Sequence, residues 1–232
     1  MYKLLFYLFT GYAFVNVYIQ TAELPCRQFT TPIMTGSVGV LALLGLLSKK
    51  LNKHEGIFLT AAWLLAATGD IFFEKSRLAT DPDVAGQAFM LGVGVFLLAY
   101  LTFGVNFTVL GFKAKLPKWV YIAAGVIAAI MGVIAYQSLL VPADQNMLVV
   151  LYTIQAVILL YGGLLSLYRK HYTFATIGIL LFFSDWLVGM RSFGNPAVVP
   201  AYVSTHVLIF ILVTYYIPML TSIDYSLKVT KE

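Results

Sequence analysis

Charge is scarce in this sequence. Only 11% of its 232 residues are Asp, Glu, Lys or Arg, where a soluble globular domain carries about 25%. With 60% apolar residues, that deficit excludes an ordinary soluble domain and points to a chain that crosses a membrane repeatedly. Cysteine is nearly missing: Cys26 stands alone, so no intrachain disulfide can form. Histidine is limited to His54, His171 and His206. A hydrolytic metal centre wants several His together with acids, and His54 and His171 fall in loops far from His206, so no metal and no cofactor is expected. No GxSxG turn and no Cys-His pair offers a covalent nucleophile. Gly92-Val93-Gly94 lacks the preceding strand and third glycine of a nucleotide fingerprint; small residues of this kind pack helices together. No Ser-, Gly- or Pro-rich linker divides the chain, so a single membrane-embedded domain over residues 1–232 is expected. The net charge of +5 does not indicate nucleic-acid binding, because the basic residues sit in short loops between apolar runs.

What the chain does have is eight apolar runs of the ~17–25 residues that cross a hydrocarbon core as a helix. They lie at about Leu4–Gln20, Thr31–Ser48, Gly56–Phe73, Gln87–Leu110, Lys118–Leu140, Gln145–Tyr168, Phe174–Arg191 and Pro200–Ile223. The fold class expected is all-α, a polytopic membrane protein built as a bundle of eight transmembrane helices. The first run has only Lys3 before it and no small-x-small site after it, so it reads as a span and not a signal peptide. Pro32 and Pro200 fit a first helical turn, Pro82, Pro117, Pro142 and Pro196 fit connections, and Pro218 should kink the last span.

Loop charge sets an expected orientation. With the N-terminus inside, the inner segments hold 11 of the 15 basic residues, and only Arg27, Lys75, Arg77 and Arg191 lie outside. That positive-inside bias puts both termini in the cytoplasm of an integral, multi-pass protein of the cell or inner membrane.

Against this background two acids stand out. Gly69-Asp70 ends the apolar run that begins near Ile57, and Ser184-Asp185 interrupts another. A carboxylate at the centre of a membrane helix costs roughly 2.5–3.5 kcal/mol on the lenient insertion scale, and such groups usually mark a cavity, a pathway or catalysis. Both spans run from inside to outside. Asp70 falls in the last turn or so of its span, with Glu74 one turn beyond on the same face. Asp185 falls past the middle of its own, with Arg191 near the outer end. His206 lies within the first two turns of the eighth span. Asn16, Gln20, Tyr152 and Gln155 also fall in the outer half, whereas Asn106 lies at an inner end. Polar groups in hydrocarbon face the bundle interior, so a polar cavity in the outer half is expected. The small-residue-plus-Asp pair recurs in the third span of each set of four, a faint internal echo that fits a parallel repeat.

These residues carry a family resemblance over most of the chain. Thr31-Pro32 opens the second span, and Leu64 to Phe73 contains Gly69-Asp70. Phe89-Met90-Leu91-Gly92 leads through Phe96-Leu97-Leu98-Ala99-Tyr100. Gly178 runs to Leu181-Phe182-Phe183-Ser184-Asp185, followed by Arg191-Ser192-Phe193 and Thr214-Tyr215-Tyr216. In these features the chain resembles the YhhN family of membrane proteins, whose best-known members are lysoplasmalogenases. It departs from the family at Tyr100, often His there, and at Ile217-Pro218, where an Ala-Gln pair is usual. That departure bears on the substrate more than on the chemistry.

The resemblance implies hydrolysis of the vinyl ether bond of a lysoplasmalogen to a fatty aldehyde and a glycerophospho head group, with Asp70 and Asp185 as the catalytic pair. Vinyl ethers hydrolyse by proton transfer to the outer alkene carbon, then water attack on the oxocarbenium ion. Two carboxyl groups in different environments can divide those roles. Asp185, deeper and flanked by Phe183 and Trp186, is the expected proton donor; Asp70, nearer water and beside Glu74, the expected base; the reverse assignment stays open. Arg191, Lys75 or Arg77 could take the head-group phosphate, and Glu74, His206, Tyr100 and Tyr215 complete the candidate substrate-binding set. The partners expected are a lysophospholipid substrate and the bilayer, with no nucleic acid; nothing in the sequence speaks to oligomeric state.

Blander readings compete. Asp70 also fits a hydrated acid at a helix end, and Asp185 a structural pair with Arg191 or His206. Glu74, Lys75 and Arg77 fit a solvated loop cluster, and His206 a helix–helix contact. Tyr12, Tyr18, Trp119, Tyr121, Tyr168 and Tyr172 read as interfacial belt residues, Trp63 and Trp186 as packing residues, and Cys26 as inert. From another functional class, a proton-coupled transporter or lipid-binding receptor would use the same paired acids to couple protons or bind a cationic head group.

Overall fold

A computed structural model describes residues 2–22, 24, 26–143, 145–195 and 201–228, with side chains for all of these except 2 and 201–206. Among the described residues there are eight helices: α1 (Tyr2–Thr21), α2 (Arg27–Leu47), α3 (Lys53–Leu78), α4 (Pro82–Lys113), α5 (Lys118–Gln137), α6 (Asn146–Tyr168), α7 (Tyr172–Phe193) and α8 (Ala201–Lys228). All eight are long and apolar enough to cross a bilayer, as an integral multi-pass membrane protein requires. The shortest have 20 residues, about 30 Å at 1.5 Å per residue, the thickness of a hydrocarbon core.

The elements start and stop for local reasons. Asn52 caps α3, its side chain accepting from Glu55 N at 2.9 Å, which satisfies one of the free N–H groups of the first turn. Three even-numbered helices end at a lysine in the left-handed conformation: Lys49 after α2, Lys115 after α4 and Lys170 after α6. Glycine is the usual residue there, and an L side chain costs roughly 1–2 kcal/mol. Lysine in return sets a cation against the helix C-terminal dipole. These three lysines belong to the basic loops that the charge pattern assigns to one membrane face, so each serves as loop charge and helix stop together.

Several boundaries differ from the hydropathy reading. α3 begins three residues earlier and ends five later than Gly56–Phe73, because charged residues end an apolar run without ending the backbone hydrogen-bond ladder. Asp70 is therefore not in the last turn: it lies eight residues, about 12 Å, short of the helix end. Glu74, Lys75 and Arg77 are helical and not a loop cluster. Pro32 is the sixth residue of α2 and not in its first turn. Pro82 opens α4, while Pro196 and Pro200 lie outside the described residues. Two expected belt residues have structural partners instead. Tyr12 donates to Thr30 O at 2.9 Å, and the Tyr121 hydroxyl bridges Leu116 N and Gly111 O across the turn between α4 and α5.

The chain divides into two compact units, residues 1–102 with 219–232, and residues 103–218. In unit 1, α2 packs along α3 and α1 along α2. Gln20 on α1 is buried and its amide donates to Arg27 O and to the Thr30 and Thr31 hydroxyls, so this polar residue ties α1 to α2. The buried Trp63 indole donates to Ser222 at 3.1 Å, and Tyr225 to Glu55 at 2.7 Å, fixing α3 against the last turns of α8. In unit 2, α6 packs against both α5 and α7. A Cβ at Gly178 would lie 2.6 Å from the Gly163 Cα, so α6 and α7 meet backbone to backbone, as small residues in membrane helices permit. Trp186 packs with Phe182 and Phe183 and donates to Ser138 at 2.8 Å.

Candidate functional site

In unit 1 the site is built on the α2–α3 pair. Gly36 and Gly39 of α2 face Ala67 and Leu64 of α3, which brings the two helices close and sets polar side chains opposite each other. Asp70 is only 8% exposed. The fully buried Thr35 presents its hydroxyl 2.6 Å from Asp70 Oδ2 and 3.0 Å from Thr31 O. A hydroxyl has one proton to give, and the shorter, charge-assisted contact to the carboxyl is the stronger claim on it. One turn farther along α3, Glu74 is also buried; its Oε1 accepts from Arg77 Nη1 at 3.0 Å. Glu74 borders an open groove of about 700 Å³ lined by α2, α3, Ala79 and Val84 of α4.

Unit 2 carries the second acid. Asp185 of α7 is 5% exposed. It lies eight residues from the α7 C-terminus, the same spacing as Asp70 from the end of α3. Tyr152 of α6 donates to Asp185 Oδ1 at 3.1 Å. Asp185 Oδ2 and both amide atoms of the buried Gln155 have no hydrogen-bond partner among the described residues. The Gln155 amide sits close enough to the carboxyl to act on it electrostatically, but outside hydrogen-bond geometry. Polar groups buried without partners are costly, about 1–3 kcal/mol each, and native structures hold few of them.

Each unit thus holds a buried carboxyl with a hydroxyl from the preceding helix on one oxygen. That arrangement can orient a carboxyl for proton transfer in a low-dielectric setting. A family model described as the YhhN family matches residues 29–220. The chain belongs to the YhhN family. No curated protein and no solved structure matches it. The YhhN match includes Asp70, Asp185 and their donors Thr35 and Tyr152, and leaves out α1 and the last turns of α8.

The remaining candidate residues of this YhhN protein fall in both units. Tyr100 is buried in unit 1, edge-on to Phe96, which stacks on Phe73. Arg191 is exposed in the last turn of α7, six residues past Asp185. Tyr215 is buried beside Tyr216. The His206 side chain lies outside the described residues. Three neighbours of the acids escaped sequence reasoning in their present positions. Thr35 is a lone hydroxyl in an apolar helix, a pattern too common to select. Tyr152 and Gln155 stood out as polar, but nothing in one dimension pairs them with Asp185.

Proposed function

We propose that this YhhN protein is a membrane-embedded hydrolase that cleaves the vinyl ether bond of a lysoplasmalogen, releasing a fatty aldehyde and a glycerophospho head group. The observation that carries this reading is the matched pair of buried aspartates, each eight residues from its helix end and each held by a hydroxyl of the preceding helix. In the proposed sequence Asp185 gives a proton to the outer alkene carbon and the adjoining carbon becomes an oxocarbenium ion. An ionised carboxylate stabilises that cation, as in other paired-carboxylate enzymes. Water attacks the cationic carbon and gives its proton to a carboxylate. The hemiacetal then collapses to the aldehyde, and the glycerol oxygen leaves as a hydroxyl. One water is consumed, and the proton it gives up balances the one delivered to carbon, so no net proton is consumed.

The test is direct. Purified protein in detergent, given lysoplasmalogen, is expected to release free aldehyde in proportion to protein. Uptake of lysolipid or protons into sealed vesicles with no aldehyde formed would overturn the enzyme reading in favour of a carrier.

A further inference from the structure

We propose that Gln155 is a positioning residue that holds the attacking water against Asp185, so that Asp185 takes back from this water the proton it gave to carbon. The proposal rests on the hydrolase reading and assigns the carboxylate of its water step. Tyr152 and Gln155 stand three residues apart on α6 and share one face of it. The backbone contact of Gly163 with Gly178 fixes how α6 and α7 are rotated against each other, and in that rotation the Tyr152 hydroxyl reaches Asp185 Oδ1. Oδ2 is then the oxygen left for chemistry. Gln155 is 1% exposed, and neither its amide atoms nor Asp185 Oδ2 have a hydrogen-bond partner among the described residues. The amide acts on the carboxyl electrostatically without meeting hydrogen-bond geometry. A donor and an acceptor set apart in this way are joined through a water, which accepts from Gln155 Nε2 and donates to Oδ2. Such a bridge keeps one lone pair of the water for attack. Nothing nearby competes for that water: Ala156, Phe182 and Phe183 are apolar, and Trp186 gives its N–H to Ser138.

The proton cycle then closes on one carboxyl. Protonated Asp185 gives its proton to the outer alkene carbon; the electron pair of the double bond forms the new C–H bond, and the adjoining carbon becomes the oxocarbenium ion. The water oxygen bonds to that carbon, and its proton passes to Oδ2. Asp185 ends protonated, as it began, and one water has been added across the double bond to give the hemiacetal. The two steps fall on neighbouring carbons, so one carboxyl serves both as acid and as base. An amide suits the holding role because it neither gains nor loses a proton in the working pH range. It fixes the water without taking the proton from Asp185.

The test reads which nucleophile reaches the cation. Full-length protein in detergent is given lysoplasmalogen in water containing methanol. Attack by water yields the aldehyde, and attack by methanol yields a methyl acetal that keeps the head group; mass spectrometry counts both. Gln155→Met keeps the length of the side chain and removes its amide, and Gln155→Leu replaces it if the first fails to give a monodisperse protein. Either variant is expected to raise the ratio of acetal to aldehyde about tenfold, the worth of one hydrogen bond to the water. The same variant should lower kcat for aldehyde by about the same factor with KM little changed. A ratio equal to that of the wild type would overturn the proposal even where kcat falls, because a merely structural role slows turnover without changing which nucleophile attacks. Aldehyde formed by the wild type with an unaltered ratio in the variants would thus remove the water-holding role and leave the hydrolase standing. A wild type that forms neither aldehyde nor acetal would remove the hydrolase reading, and the proposal with it.

Discussion

The two units bury one aspartate each, yet they do it differently. Asp70 is held by the short side chain of a threonine on a closely packed α2, and it lies one turn from a charged pair at an open groove. Asp185 is held by a longer tyrosine, has an oxygen and a neighbouring amide without partners among the described residues, and sits beside the aromatic cluster of Phe182, Phe183 and Trp186. The shared part, a carboxyl eight residues from the helix end with a hydroxyl from the preceding helix, is what a proton-handling group needs. The divergent part is the setting: one acid lies near charge and a groove, the other among aromatic rings. Environment, not residue type, distinguishes two identical side chains.

The largest effect that would sharpen this comparison comes from the acids. Asp70→Asn and Asp185→Asn should each lower aldehyde release by about 10²–10⁴-fold, the usual contribution of general acid or base catalysis, with the thermal midpoint in detergent retained. If one variant keeps full activity, the pairing fails and the surviving unit alone carries the chemistry. Next come the donors. Thr35→Val and Tyr152→Phe should each reduce kcat by about ten- to a hundredfold, the worth of a hydrogen bond to a charged group, with little change in KM. Thr35→Ser, which keeps the hydroxyl, should restore most of the rate, and a Thr35→Ser as damaged as Thr35→Val would show that packing, not the hydrogen bond, matters.

The helix pairs themselves should respond unequally. Gly178→Ala drives a methyl into the Gly163 backbone and should destabilise unit 2 by about 1–3 kcal/mol, as overpacking does. Gly36→Ala places its methyl at an ordinary 3.7 Å from the Ala67 Cβ and should be close to neutral in the same thermal assay. Equal losses would mean the two interfaces are equally tight. The smallest expected effect on stability is at Gln155. Its amide has no hydrogen-bond partner among the described residues, so Gln155→Leu should leave the midpoint unchanged or slightly raised. A fall in aldehyde release in that same variant would place Gln155 at the reacting groups, and unchanged release would make it a passive neighbour of Asp185.

Much of this protein was legible before any coordinates. Spans, and the aspartates within them, follow from where charge is allowed, and that is a one-dimensional property of a chain in hydrocarbon. The helix ends were less so: Glu74, Lys75 and Arg77 interrupt the apolar run, but hydrogen bonding along α3 continues through them to Leu78. The partners were not legible at all. Thr35 meets Asp70, and Tyr152 meets Asp185, only because α2 and α6 are rotated so that those residues face the next helix. Rotation about a helix axis depends on how small residues such as Gly163 and Gly178 interlock, which no local pattern records. The sequence by itself thus determined that two acids lie in membrane-spanning runs. Only tertiary packing decided which hydroxyl each one meets, and that Asp70 lies one turn from a groove while one Asp185 oxygen has no partner among the described residues.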